Sequence, residues 1–235
     1  MYLDINVDVG EGLNNEAQLM PYMSSCNIAC GGHAGDISTM RTAVKLAKQY
    51  RVKIGAHPSF PDKANFGRMV MKMSSANLYT SLKKQIRDLL QLLNNEHLQL
   101  HHIKPHGALY NLAVADKKTA NVIIEVVKSI AYPVKLYVPY GSVISTMATE
   151  QNIPVIFEAF ADRNYNDDLT LVSRLKGNAV IHIPHQVIDH VSRMFMGKVK
   201  TVNGNDVEIK AETFCVHGDN PNAVEIIKAI REHFD

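Results

Sequence analysis

Residues 2–12 read YLDINVDVGEG, and the fold turns on how they are read. The run has the length and the β-branched, apolar character of a strand, and it stops at a glycine turn that carries Asp8 and Glu11. The same phrase recurs along the chain. RVKIGAH (51–57), LQLHHIKP (98–105), VKLYVP (134–139), PVIFEAF (154–160), NAVIHI (178–183) and ETFCVHG (212–218) are further runs of strand length. Five times such a run ends in a Gly or Pro turn bearing Asp, Glu, His, Lys or Arg: DVGEG, GAHPSFPD, KPHGALYN, FADRNY and VHGDNP. In parallel α/β folds the carboxyl ends of the strands share one edge, so residues remote in sequence are expected to meet there.

Between the runs lie longer segments of helical periodicity. Ser38 to Tyr50 places Met40, Val44, Leu46 and Ala47 at helical spacing behind a Ser38 cap, and Ser75 to Asn94 repeats the pattern with Leu78, Leu82, Ile86, Leu89, Leu90 and Leu93. Helices are also expected over 116–130, 141–151, 186–196 and 222–234. Alternating β and α segments predict a parallel α/β sheet with helices outside it, and the strands look apolar and nearly non-alternating, as in a sheet buried on both faces. A closed barrel and a doubly wound sheet both satisfy this pattern. GKVKTVNGNDVEIKAE (197–212) departs from it and predicts a hairpin around Asn203, Gly204 and Asn205. With no linker, repeat or low-complexity segment, residues 1–235 read as a single domain.

Composition removes several functional classes. Hydrophobic residues make up 46% of the chain, enough for a core, and 25 basic residues against 23 acidic ones give a net charge of +2 without runs of one sign. That balance offers no footprint for nucleic acid. No window reaches the ~18 apolar residues of a membrane span, and the start has no secretory pattern, so no membrane association and a cytoplasmic protein are expected. Cys26, Cys30 and Cys215 are too few and wrongly spaced for a disulfide framework or a zinc knuckle. Phosphate-loop, nucleophile-elbow, zinc-helix and dinucleotide fingerprints are all missing, which leaves metal-assisted hydrolysis or metal-free acid/base attack on a carbonyl.

The candidate residues follow from the turns. Residues 27–36, NIACGGHAGD, combine three glycines with Asn27, Cys30, His33 and Asp36, as a ligand-binding loop requires; a tight turn whose His and Asp cap the next helix reads equally well. Asp8 and Glu11 are candidate bases or substrate acceptors. His57 is held before Pro58, and Lys104, at the end of an apolar strand, needs an anion, either a carboxylate of the protein or one on a substrate. His106 shares its turn. Asp162 and Arg163, and His217 and Asp219, close the set, while His101 and His102 are discounted because neighbouring strand residues face opposite ways.

DINVDVGEG, NIACGGHAGD, IGAHPSFPDKANFGR, IKPHGALYN, FADRNY and CVHGDNPNA, taken in order, resemble the successive motifs of the LamB/YcsF family from about Asp4 to the final helix. The resemblance implies a seven-stranded (β/α) barrel akin to the glycoside hydrolase and deacetylase barrels. It also implies ATP-dependent opening of 5-oxo-L-proline to L-glutamate together with 5-oxoprolinase subunits B and C, with the nucleotide, and Mg²⁺ if used, handled mainly by those partners. Under that reading Asp8, Glu11, Asp36 and Asp162 are candidate bases, His33, His57 and His106 candidate proton donors, and Asn27, Lys104, Arg163, His217 and Asp219 substrate contacts, with no tightly bound transition metal. Two rivals stay open: a metal-dependent amide or carbohydrate deacetylase using Asp8, His33 and His57, and a non-catalytic lactam- or sugar-binding module. Met69 stands where the family usually has a second arginine, and Asp168 where it usually has glycine.

Overall fold

The computed structural model describes residues 3–234, and its centre is a closed ring of seven parallel strands. β1 (Ile5–Val9) pairs with β2 (Ser25–Ala29), and the ring runs on through β3 (Lys53–His57), β4 (His102–Ile103), β5 (Lys135–Pro139) and β6 (Val155–Phe160). β7 (Lys198–Lys200) and β8 (Asp206–Glu208) form an antiparallel hairpin outside the ring, as the Asn-Gly-Asn turn predicts. β9 (Thr213–Val216) then closes the barrel, pairing with both β6 and β1. Around the strands lie α1 (Glu16–Leu19), α2 (Ile37–Tyr50), α3 (Ser75–Asn95), α4 (Gly107–Ala113), α5 (Lys117–Lys128), α6 (Val143–Glu150), α7 (Pro184–Phe195) and α8 (Ala223–Phe234). Among the described residues no helix is long and apolar enough to cross a membrane.

The helices dock by amphipathic faces. α3 buries Leu78, Leu82, Ile86, Leu89 and Leu93 of the stripe its periodicity announced, with Leu92 buried in place of the half-buried Leu90, and starts on a Ser74 hydroxyl that accepts from the Asn77 amide. α2 departs from expectation at its start. Its cap is Asp36 rather than Ser38, in a reciprocal box with Thr39.

The strands are not apolar on both faces. In β1, Ile5, Val7 and Val9 join the apolar core toward the helices, while Asn6 and Asp8 point into the barrel. The interior is therefore polar. Asn6, Asp8, Ser25, Asn27, His57, His102, Lys104, Glu158 and Thr213 are all buried; Ser25 meets the Tyr137 hydroxyl and the others are linked to one another by hydrogen bonds and ion pairs across the ring, where many barrels stack branched aliphatics. The strands depart from expectation in two places. β2 gives no strand signal in sequence because its inward Ser25 and Asn27 break the apolar run. Residues 178–183 form no barrel strand: Ala179 and Ile181 are buried where the chain doubles back over β6's exit, Ile181 N–H donating to the Asp162 carbonyl, with one antiparallel bridge at Val180. Tyr2, the first residue of the expected opening strand, lies outside the described residues.

Candidate active site

The carboxyl ends of the strands open into one cavity of about 680 Å³. Asp8, Glu11, His57, Lys104, His106, Arg163, His217 and Asp219 all line it, each from the end of a strand or the loop after one. Asn27, His33 and Asp162 stand just behind that wall. Asp36 does not join them: it is exposed, occupied as the helix cap, and absent from the cavity lining. The expectation that Asp36 shares the cavity is corrected on that ground, because the local helix start claims its carboxylate.

At the floor sits Lys104, 2% exposed. Its ammonium lies 3.0 Å from Asp8 Oδ1 and 2.9 Å from Glu158 Oε1, and donates to Asn6 Oδ1 at 3.2 Å and Cys215 Sγ at 3.0 Å. Of the two anions its sequence position allowed, the protein supplies its own. Burial disfavours both charges of the Lys104–Asp8 pair, but their mutual attraction, with His57 also beside Asp8, outweighs it. Lys104 is pushed well above its usual range and Asp8 held well below its own. Asn27 donates to both Asn6 and Asp8 at 2.8 Å and accepts from His102 Nε2, so it orients Asp8 from beneath without reaching the cavity.

Beside the floor is a histidine cluster. His57 Nδ1 donates to the Lys104 carbonyl at 2.7 Å, and its Nε2 faces His106 Nδ1 at 2.9 Å and Asp8 Oδ2 at 3.4 Å. His106 Nε2 donates to the Phe66 carbonyl, and His33 stacks on the His106 ring at 3.6 Å while placing Nε2 2.9 Å from Glu11 Oε1. Burial, reinforced by repulsion from Asp8, raises the Glu11 carboxyl to about 7. Burial and the neighbouring His57 lower His33 to about 2, and burial with His33 and His57 holds His106 well below its usual value. Glu11 Oε1 and ring nitrogens of His33, His57 and His106 all lie within 4.8 Å of one another, close enough for a metal ion or a relayed proton.

The opposite wall is built by the loop after β6. Asp162 is fully buried, holding His217 Nδ1 at 2.8 Å and the Asn220 amide at 3.0 Å. Burial opposes its charge, yet His217 and these donors keep its carboxyl below the usual range. Arg163 donates to the carbonyls of Val172 and Ala179 and so ties the loop over the mouth instead of presenting a free cation. At the rim, Arg68 and Arg174 converge on Asp219 at 2.7 and 2.9 Å. Met69 is exposed on the rim, and Asp168 accepts from the Thr170 amide and hydroxyl in an exposed turn.

Four residues escape a reading from sequence. His102, discounted together with His101, is wholly buried and stacked on Tyr137 at 3.8 Å, and is the one of the pair that faces into the network. Glu158 and Tyr110 line the cavity, and burial beside Glu158 raises the Tyr110 phenol well above its usual value. Arg174 is the fourth. An inward charge in an apolar strand is a usable signal for Glu158; nothing local marks the others.

Comparison with known proteins bears on the family and the fold. The LamB/YcsF family profile matches residues 3–235. A Haemophilus influenzae protein named as the A subunit of 5-oxoprolinase is 41% identical over 234 residues, 99% of this chain and 96% of its own. The crystal structure of a lactam utilization protein from Thermus thermophilus superposes with a TM-score of 0.91 at 38% identity, covering 99% of this chain and 95% of that one. A GH18 chitinase from Pseudoalteromonas aurantia shares the barrel alone, with a TM-score of 0.54 and 11% identity over 97% of this chain and 99% of its own.

Proposed function

This chain belongs to the LamB/YcsF family, and from that premise we propose that it works as the A subunit of an ATP-dependent 5-oxoprolinase, opening the lactam of 5-oxo-L-proline to L-glutamate with subunits B and C. The observation that carries the reading is the cavity itself. It sets an ionised Asp8 against a Glu11 that titrates near neutrality, with three histidines beside them, which is the equipment for moving protons at a carbonyl.

A lactam carbonyl is a poor electrophile because amide resonance occupies it. Phosphorylating the amide oxygen relieves that resonance; water then adds to the carbon, the C–N bond breaks as the ring nitrogen takes a proton, and the acyl phosphate left behind is hydrolysed to the carboxylate and phosphate. The glycine-rich loop that opens α2 ends in Asp36, whose carboxylate occupies the helix start that a triphosphate would need, so the nucleotide step is assigned to the partners and the ring opening to this cavity. The cavity exceeds what the small ring needs and accommodates a phosphorylated form as well. Lys104 is saturated by Asp8 and Glu158, so the substrate carboxylate is assigned to the rim cations Arg68 and Arg174, which reach it by exchanging Asp219. Glu11 is assigned the role of general base toward the attacking water. His57, tied to Asp8 and His106, is assigned the proton for the departing ring nitrogen.

The test is glutamate release from 5-oxoproline and ATP, with the chain alone and with subunits B and C added. Release only in the mixture, lost with Glu11→Gln in this chain, is the expected result. Glutamate and ADP from the isolated chain at the rate of the mixture refutes the division of labour.

A further inference from the structure

The hydrogen bonds of His57 and His106 do not close on protein atoms alone. The outer nitrogen of each ring faces a backbone carbonyl, Lys104 O at 2.7 Å and Phe66 O at 2.9 Å, and a carbonyl only accepts, so both outer nitrogens carry protons. Two neutral imidazoles then hold no further hydrogen. Their inner nitrogens, His57 Nε2 and His106 Nδ1, nevertheless face each other at 2.9 Å, lone pair to lone pair. Something positive belongs between them: either one extra proton shared by the pair or a metal ion.

Three observations favour the ion. The first is distance. Glu11 Oε1 lies 3.6 Å from His106 Nδ1 and 3.9 Å from His57 Nε2, so the three atoms form a triangle with edges of 2.9, 3.6 and 3.9 Å. Bonds of ~2.0–2.1 Å in a tetrahedral shell separate ligand atoms by roughly 3.3 Å, which these edges bracket. The second is support behind the ligands. Each outer imidazole nitrogen is pinned by a carbonyl, and the Glu11 oxygen is held by His33 Nε2, whose ring stacks flat on His106 at 3.6 Å and 4°. Ligating histidines and carboxylates are oriented in this way by a second layer of hydrogen bonds. The third is rigidity and access. The donors come from the ends of three strands and from side chains at most 9% exposed, yet all three line the cavity. Gly67 supplies the room: a Cβ there would stand 2.8 Å from His33 Cβ and 3.0 Å from His106 Cδ2.

We propose that Glu11 Oε1, His57 Nε2 and His106 Nδ1 bind one divalent transition-metal ion of the zinc class, with His33 as the positioning residue behind Glu11 and the remaining coordination positions open to the cavity. Imidazole and carboxylate donors in a two-to-one ratio with an open face suit zinc, cobalt or iron over calcium or magnesium. The parallel stacking of His33 on His106 keeps His33 out of the shell, because one ion does not lie in the planes of two rings 3.6 Å apart. The other convergent group, Asp8, Cys215 and His217, is closed to cations by the Lys104 ammonium, which lies 3.0 Å from both Asp8 and Cys215. An ion at the proposed site supplies a Lewis acid at the cavity wall. The proposal departs from the expectation of a metal-free site, and with the ion bound Glu11 and His57 act as its ligands in place of the base and acid roles assigned to them above.

Metal binding is measured on the untagged full chain, independently of turnover. Elemental analysis as purified, then calorimetric titration with Zn²⁺ and visible spectroscopy with Co²⁺ after chelation, are expected to give one ion per chain and the absorption of a low-coordinate cobalt site. His57→Ala and His106→Ala are expected to abolish it, with circular dichroism confirming the fold and His106→Gln replacing any variant that does not fold. His33→Ala, which leaves the ligands but frees Glu11, is expected to weaken binding about 10- to 100-fold. No stoichiometric uptake of either ion, or uptake undiminished in His106→Ala, overturns the proposal and leaves the shared proton in its place. A chain that takes up zinc but releases no glutamate even with subunits B and C present overturns the functional reading and not the site.

Discussion

Replacing Lys104 with methionine shortens the side chain by one atom and deletes its charge, and the consequence is calculable from its surroundings. Two buried carboxylates, Asp8 and Glu158, lose the cation at 3.0 and 2.9 Å. Removing one partner of a buried ion pair costs about 3–5 kcal/mol, because the charge left behind is neither solvated nor paired. The cost must also depend on pH. Without Lys104 the Asp8 carboxylate loses part of the attraction that offsets its burial, so relative to wild type Lys104→Met is expected to lose stability as pH rises and regain it as pH falls, by up to ~1.4 kcal/mol per unit. Urea unfolding of wild type, Lys104→Met and Lys104→Met/Glu158→Gln between about pH 5 and 8 tests this linkage. The gap between wild type and single variant is expected to narrow toward low pH, and the double variant to be more stable than the single at neutral pH. A gap that does not change with pH, or a double variant no better than the single, would refute the electrostatic account of the floor.

Three further outcomes follow from particular contacts. His190, buried on α7 with Nε2–H donating to the Arg163 carbonyl at 3.0 Å, is lowered to about 4 by burial. Its stabilisation is complete above the unfolded value near 6.5 and is lost as pH falls toward 4, so wild type should lose about 2 kcal/mol more than His190→Gln between pH 7 and 5 in the same unfolding assay, and equal losses would contradict it. Gly55→Ala puts a Cβ 2.1 Å from Nε2 of the fully buried His102, so a cost of ~3 kcal/mol, read as a lower unfolding midpoint, is expected; a neutral substitution would show that the His102 ring can move. Asp36→Ala removes a helix cap at an exposed position, so a small drop in melting temperature with undiminished glutamate release by the reconstituted mixture is expected, and lost turnover would return Asp36 to the site.

What the sequence determined by itself was periodic or local. Apolar runs broken by Gly and Pro turns located most strands, the helical stripes located the main helices, and Asn203-Gly204-Asn205 located the hairpin, because each pattern reflects the pitch of one element and the turn that ends it. The motifs also specified the family, and the rule that function gathers at strand carboxyl ends brought Asp8, Glu11, His57, Lys104 and His106 to one cavity. Tertiary structure alone decided the rest. Barrel closure joins β9 to β6 and β1 across a hairpin and a helix, and no local signal encodes that pairing. The polar interior was hidden because a side chain such as Asn27 or His102 is a poor strand residue until its partners on other strands are present to bond it. Lys104 was legible as a cation in need of an anion, but whether that anion came from protein or ligand depended on Glu158, 54 residues away in sequence and 2.9 Å away in space. Asp36 shows the reverse: a side chain that sequence chemistry offered to the site was claimed by its own helix, because a cap three residues away forms before any distant partner can compete.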